Sequence, residues 1–358
     1  MRRERKLNLN RRGFIGVAGG TAATALLGAF GAPAAASDAA TSDTATSGGG
    51  RRGRLIPPGR LGIQLFTIRD KVASLGFAAV FEELVRDGYA EVEFAGYTQG
   101  SVGAITIPQI KRLLDDNGLR GIGSHVGYFS SDPNAYTFAT KLDQVLDDAA
   151  ALDLPYIGTA SSPARYGNTV DAWKRACAEF NAFGAAAAQR GMKFYQHNHA
   201  EEFGFATDQP SVRLYDVLLA ETDPELVALE MDIFWAFSGQ FRFSSRPDPN
   251  NPSGPPIPEP FEPLDFVLAA PERYPLFHVK DGDFDPTVRD GFRMTDVGDG
   301  DIDYQRFISA LQRSAGGRHR GRHNYLVERD DAPSPATNPA GSFSTAQRSF
   351  DFLSSLRG

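Results

Sequence analysis

The sequence predicts an α/β fold, a single (β/α)₈ barrel of the TIM barrel kind, and three observations carry that prediction. Short apolar runs alternate with helical patterns eight times over about 300 residues. Four runs in the second half end on a side chain able to bind a metal: 193–199 (KFYQHNH), 227–232 (VALEMD), 274–278 (YPLFH) and 325–328 (YLVE). No Gly-x-Gly turn follows the first run, as a doubly wound open sheet would favour.

In chain order, 62–66 (GIQLF) reads as the first strand, before a helix at 77–87. Strand 90–94 (AEVEF) leads to a helix at 107–117. Strand 120–125 (RGIGSH) precedes a helix at 136–152, and 156–159 (YIGT) precedes one at 170–190. The four ligand-bearing strands follow, with helices at 212–220, 263–269, 304–313 and 345–356. Such mostly apolar runs suit parallel strands buried on both faces. In a closed parallel barrel the C-terminal strand ends converge, so ligands scattered along the chain meet in one pocket. After Trp235, the segment 237–263 is expected to be a long Pro-rich loop leaving strand six, overhanging the pocket as a lid or an interface arm.

At 358 residues and 41% hydrophobic, the chain can bury one large core or two small ones. Its net charge of -7, with no basic stripe beyond the N-terminus and Arg51, Arg52 and Arg54, gives no footprint for nucleic acid. The single cysteine, Cys177, excludes an intrachain disulfide and a Cys-rich zinc site and reads as a small buried hydrophobe. Residues 1–36 read as a twin-arginine signal peptide. They have a basic start, Arg11-Arg12 before Gly13-Phe14-Ile15, a weakly apolar Gly/Ala stretch to Phe30, and Ala34-Ala35-Ala36 before Ser37. That stretch is short and glycine-laden for a membrane span of about 20 residues. Residues 37–54 read as a disordered Ser/Thr/Ala/Gly linker. The barrel is therefore expected over 55–358, exported to the cell envelope or beyond with the twin-arginine machinery as partner.

The segments His197-Asn-His-Ala-Glu-Glu202-Phe203, Asp232-Ile-Phe-Trp235, His278-Val-Lys280-Asp281, Asp296-Val-Gly-Asp-Gly300 and Val327-Glu328 resemble motifs of the xylose-isomerase-like TIM-barrel superfamily. More narrowly, they resemble its sugar phosphate isomerase/epimerase branch, whose first two strands Gly62-Ile-Gln64-Leu and Val92-Glu93-Phe-Ala-Gly96 also fit. The resemblance spans 61–330. It implies one divalent metal held by strands five to eight, usually through carboxylates and one histidine. On this chain Asp232, His278 and Glu328 take the places on strands six, seven and eight. Many relatives carry glutamate on the fifth, where this chain offers His197, with His199 as a second ligand or substrate contact. Glu230 alternates with Asp232 and is the alternative ligand on that strand. Imidazole with carboxylate suits Zn, Mn, Co or Mg.

Around the ion, Gln64, Glu93 and His125 end the first three strands and can bind sugar hydroxyls or serve as caps and ion pairs. Trp235 offers an apolar face for the C–H side of a sugar or for core packing. Lys280 points into the same cavity as His278, where an ammonium must be paired or used. Glu202 is placed to orient a ligand histidine. His319 and His323 read as surface residues in an Arg-rich stretch. The expected reaction is proton abstraction beside a chelated carbonyl, with Glu328 as base and Lys280 or His199 shuttling protons. It yields isomerisation or epimerisation; loss of a β-oxygen would make the protein a lyase or hydratase of 3-keto-glycosides. Export and the lack of a Gly-rich phosphate loop point to a free or glycosidic sugar. A secreted sugar-binding barrel without turnover is the reading from another class. The oligomeric state stays open, since the Pro-rich loop could complete a neighbour's pocket in a homo-oligomer.

Overall fold

The computed structural model describes residues 53–358 except Pro252 and 315–320. The leader 1–36, the linker apart from residues 53 and 54, and His319 lie outside the described residues.

Eight parallel strands form one sheet: β1 Leu61–Gln64, β2 Glu91–Phe94, β3 Arg120–Ser124, β4 Tyr156–Thr159, β5 Lys193–His197, β6 Val227–Asp232, β7 Leu276–Val279 and β8 Asn324–Val327. Their order is β3-β2-β1-β8-β7-β6-β5-β4. A bridge from His125 to Gly158, with the Val126 N–H on the Gly158 carbonyl at 2.8 Å, draws β3 against β4, so the barrel is near-closed. Around it run α1 Arg69–Asp87, α2 Ile107–Asn117, α3 Phe138–Ala151, α4 Val170–Ala188 and α5 Leu214–Glu221. They are followed by α6 Ile233–Arg242, α7 Pro263–Ala269, α8 Tyr304–Arg313 and α9 Ser342–Ser355. Leu55 is buried and bonds to the Leu356 carbonyl, closing the barrel's floor against the end of α9.

The strands alternate between two hydrophobic compartments. Outward residues such as Ile63, Val92, Phe194, Met231, Phe277 and Val327 pack beneath the helices. Inward residues Ile122, Tyr195, Ala228, Leu276 and Leu326 form a separate cluster inside the barrel. The Tyr195 ring fits there because its neighbour strand presents Gly158, where a Cβ would lie 2.3 Å from the Tyr195 carbonyl and 2.5 Å from its ring. Above this apolar plug, the next inward side chains are polar.

Several expected boundaries shift. The helix expected from residue 77 begins at Arg69 and bends at Gly76, whose φ is 82°. The loop expected over 237–263 is shorter, because α6 runs to Arg242. Its first turn is fixed by Asp232 Oδ1, which accepts the Trp235 N–H at 2.9 Å, and by burial of Phe234, Ala236 and Gly239. The remaining segment, 243–262, contains a short antiparallel pairing of Ser245–Arg246 with Ile257–Pro258. A hairpin not foreseen from the sequence, Asp281–Phe284 with Phe292–Thr295, rises from the end of β7. Asp281 also gathers the Asp296–Gly300 motif, accepting N–H bonds from Gly282, Gly298, Gly300 and Ile302 at 2.8–3.3 Å. His323, expected at the surface, is 2% exposed, with Nδ1 2.7 Å from the Tyr274 carbonyl and its ring 5.5 Å from Phe277. The strand that begins at Asn324 pulls it under the barrel despite its basic neighbours.

At the opposite, N-terminal end of the barrel, Glu91 is fully buried with Oε1 2.5 Å from Arg120 Nη2 and Oε2 unpartnered. Burial pushes its carboxyl from 4.5 up to about 7 against the opposing pull of Arg120 and Arg60. An acid raised on folding holds its proton better in the folded state, so this contribution is full below pH 4.5 and is lost as pH rises towards about 7. Glu91→Gln is therefore expected to gain on wild type, by up to about 3 kcal/mol, between pH 5 and pH 8. Urea unfolding at the two pH values measures it; a pH-independent difference would contradict the assignment.

Candidate active site and metal centre

The C-terminal ends of seven strands bring the sequence-predicted residues into one cluster, with His278 at its centre. Its Nδ1 lies 2.8 Å from Glu328 Oε2 and its Nε2 2.6 Å from Glu93 Oε2. Glu93 accepts Gln64 Nε2 at 2.7 Å and the Tyr195 hydroxyl. His125 Nε2 and His197 Nδ1 approach Glu230 Oε2 at 2.8 and 3.1 Å. The rings of His125, His197 and His278 stand 4.5–5.2 Å apart. Gln64, Glu93, Glu230, Asp232 and His278 are all fully buried. Gln64 and Glu93 thus sit beneath the mouth as supports of His278, while His125 remains partly open.

Lys280, two residues beyond His278, is also buried, and its Nζ meets three carboxylates. It lies 3.0 Å from Asp232 Oδ2, 2.9 Å from Glu328 Oε2 and 2.9 Å from Asp330 Oδ1. Lys280 Nζ is 5.4 Å from the centre of the half-buried Trp235 ring, which His199 approaches at 5.8 Å. Glu202, expected to orient an imidazole, instead accepts the backbone N–H of His199 at 2.8 Å. It therefore fixes the chain just past β5, which ends at His197, rather than a ring.

Burial is the largest influence on the protonation of these groups, and at Glu328 the neighbours reverse its direction. Burial raises the Asp232 carboxyl to about 6 although Lys280 pulls it down. For Glu328 burial also raises, but Lys280 and His278 outweigh it and hold the carboxyl well below its usual range. Burial lowers both His197 and His199, the latter to about 4 with help from Lys280, so both are neutral imidazoles with a lone pair to offer.

Two four-residue groups could hold a metal ion: an inner one, His125, His197, Glu230 and His278, and an outer one, His197, Asp232, His278 and Glu328. In each, the ligand atoms lie within 4.8 Å of one another. Glu230 belongs one inward step below Asp232 on β6. The donor sets fit a divalent cation. Each mixes imidazole with carboxylate, and Glu230 Oε1 and Asp232 Oδ2 are buried without a hydrogen-bond partner. Asp232 Oδ2 does face Lys280 as an ion pair, without hydrogen-bond geometry. A cavity of about 410 Å³ lies at the other end of the barrel, lined by Glu91, Arg120, Tyr156 and Asn324 among others, and shares no residue with the cluster.

Sequence reasoning assigned nothing to Tyr195 or Asp330 and weighed Glu230 only as a substitute. The alternation rule points to all three: Tyr195 is two before His197, Asp330 two after Glu328, and Glu230 two before Asp232.

Removing Lys280 strands buried carboxylates. Lys280→Met, treated with EDTA, is expected to lose about 3–5 kcal/mol of stability. A loss below about 1 kcal/mol in denaturant unfolding would show that the carboxylates are balanced by something else.

Solved structures share this architecture. A sugar phosphate isomerase/epimerase from Parabacteroides distasonis ATCC 8503 is 21% identical with a TM-score of 0.62, covering 83% of this chain and 94% of that one. A second such protein from the same organism is 23% identical with a TM-score of 0.60, covering 82% and 96%. The IOLI protein, solved with a bound zinc atom, is 12% identical with a TM-score of 0.59, covering 84% and 99%. Among curated proteins none matches. Residues 69–317 match the family described as xylose isomerase-like TIM barrel, and these, within an eight-stranded parallel barrel, place the chain in that family.

Proposed function

We propose that the protein is a divalent-metal-dependent isomerase or epimerase of a free or glycosidic sugar, working through an enediolate. The observation that supports this best is the gathering, at one barrel end, of metal-competent imidazoles and carboxylates around a buried ammonium and beside an indole. His197 and His278, common to both groups, would hold the ion with a carboxylate of β6. A bound divalent cation supplies Lewis-acid polarisation of adjacent carbonyl and hydroxyl oxygens.

The chain's own side chains supply the rest. Glu328 is the general base that takes the proton from the carbon beside the carbonyl, leaving the enediolate. Lys280, 2.9 Å from its Oε2, keeps that carboxylate ionised and relays the proton. Return of the proton to the neighbouring carbon gives an isomer; return to the opposite face of the first carbon gives an epimer. Gln64 holds Glu93 against the Nε2 side of the His278 ring. Trp235 walls the mouth for the apolar face of a sugar, and neutral His199 meets hydroxyls at the rim. The paired-arginine leader in the sequence motivates an exported protein, and with it an unphosphorylated substrate.

Two measurements test this reading. Protein purified without added ions is expected to carry about one equivalent of Zn, Mn or Co, lost in His278→Ala. In deuterated water it is expected to place solvent deuterium on one carbon of a free ketose or aldose, read by NMR. Preference for the phosphorylated sugar would overturn the substrate class. An unsaturated keto-sugar without any epimer would make the enzyme a lyase.

A further inference from the structure

We infer that the cation position of this barrel is the inner group, His125, His197, Glu230 and His278, and that Lys280 takes the equivalent place among the outer carboxylates. The inference deepens the metal-dependent reading and rests on it. Three ring nitrogens, His125 Nε2, His197 Nδ1 and His278 Nε2, stand 2.8, 3.1 and 3.3 Å from Glu230 Oε2. Ligands at about 2.0–2.1 Å around a tetrahedral ion stand about 3.4 Å from one another. The three distances from Glu230 Oε2 thus approach the spacing of a shell around one small cation, and all four ligand atoms lie within 4.8 Å of one another.

Hydrogen bonding alone accounts for this packing poorly. One carboxylate oxygen has two lone pairs for three converging nitrogens, while Glu230 Oε1, equally buried, has no partner. Glu93 adds a second carboxylate to the same face, with Oε2 2.6 Å from His278 Nε2 and 3.5 Å from His125 Nε2. Among the described residues no lysine or arginine lies within ion-pair reach of Glu93 or Glu230. Two fully buried carboxylates whose basic neighbours are imidazoles alone are what a divalent ion would neutralise.

The outer group is the opposite case. Asp232 Oδ2 and Glu328 Oε2, the oxygens an outer ion would need, already face Lys280 Nζ at 3.0 and 2.9 Å, with Asp330 as a third partner. The other Asp232 oxygen is occupied by the Trp235 N–H, and His197 Nε2 is 3.7 Å from Oδ2. An ion placed there would press against a buried positive charge. With the ion inside, Glu328 and Lys280 are left free to move protons. His125, at 16% the most exposed side chain of the inner group, marks the side from which substrate oxygens reach it.

Equilibrium dialysis of the full chain against Zn²⁺ or Co²⁺, read by elemental analysis and the visible Co²⁺ spectrum, separates the two positions. Glu230→Gln and His125→Gln are each expected to weaken binding beyond the about 10–100-fold that an outer-shell change costs. Glu328→Gln and Asp232→Asn are expected to keep wild-type stoichiometry and spectrum. The reverse pattern, retention in Glu230→Gln and His125→Gln with loss in Glu328→Gln, would overturn the inner position and leave the metal-dependent reading standing. A wild type that binds neither ion would remove both. Thermal unfolding is run on every variant, and His125→Gln, at the most open position, carries the test where Glu230→Gln does not fold.

Discussion

Five carboxylates, Glu93, Glu230, Asp232, Glu328 and Asp330, crowd the C-terminal end of one barrel, and four of them are buried. Nothing else among the described residues constrains its surroundings so strongly, because a charge is kept out of water only at high cost unless a counter-charge stands beside it. Three imidazoles and one ammonium are packed among the acids in answer. The ammonium serves the outer three and the imidazoles serve the inner two, with His278 touching both sets through its two ring nitrogens. The histidine is held so firmly from both sides that its ring plane is settled before any ligand arrives. The apolar plug beneath, built from Ile122, Tyr195, Ala228, Leu276 and Leu326, keeps water from reaching the acids from below.

Much of this was legible because a parallel barrel imposes simple rules on sequence. Strands buried on both faces read as apolar runs, and their ends converge wherever the chain places them. That is why Asp232, His278 and Glu328 could be named as neighbours across almost a hundred residues. The same period-two logic put Lys280 beside His278. Failures occurred where local composition hid a tertiary contact. His323 sits among arginines but enters the barrel wall one residue later. Glu202 has the right spacing to reach a histidine ring, yet the chain turns so that it meets a backbone N–H. The start of α6 was masked by the prolines that follow it, although Asp232 followed three residues later by Trp235 is a recognisable N-cap spacing. Glu230 and Asp232 share one face of β6, and sequence put Asp232 first with Glu230 as its alternative; the structure separates them by their partners, imidazoles around Glu230 and the Lys280 ammonium beside Asp232.

The likeness to solved structures at 21–23% identity lies in the barrel. Within that shared frame this chain puts His197 on β5 and brings His125 from the end of β3 into the same cluster. Both strand ends face the mouth, so this placement asks nothing further of the architecture. The glycine on β4 that admits Tyr195 belongs to the same arrangement: the tyrosine hydroxyl reaches Glu93 only because its ring can lie against a strand without a side chain.

Asp232 spends its two oxygens in different directions, one on the first turn of α6 and one on the ammonium of Lys280. The helix is thereby a rigid lever with its fulcrum in the site. Its far end, at Arg242, opens directly into the 243–262 segment. A force applied to that segment from a neighbouring molecule is delivered along ten residues of helix to a single carboxylate. Anything that tilts α6 must either release Asp232 from the helix or draw it away from Lys280. The geometry thus gives a surface segment mechanical access to the buried carboxylate and ammonium without its having to touch them.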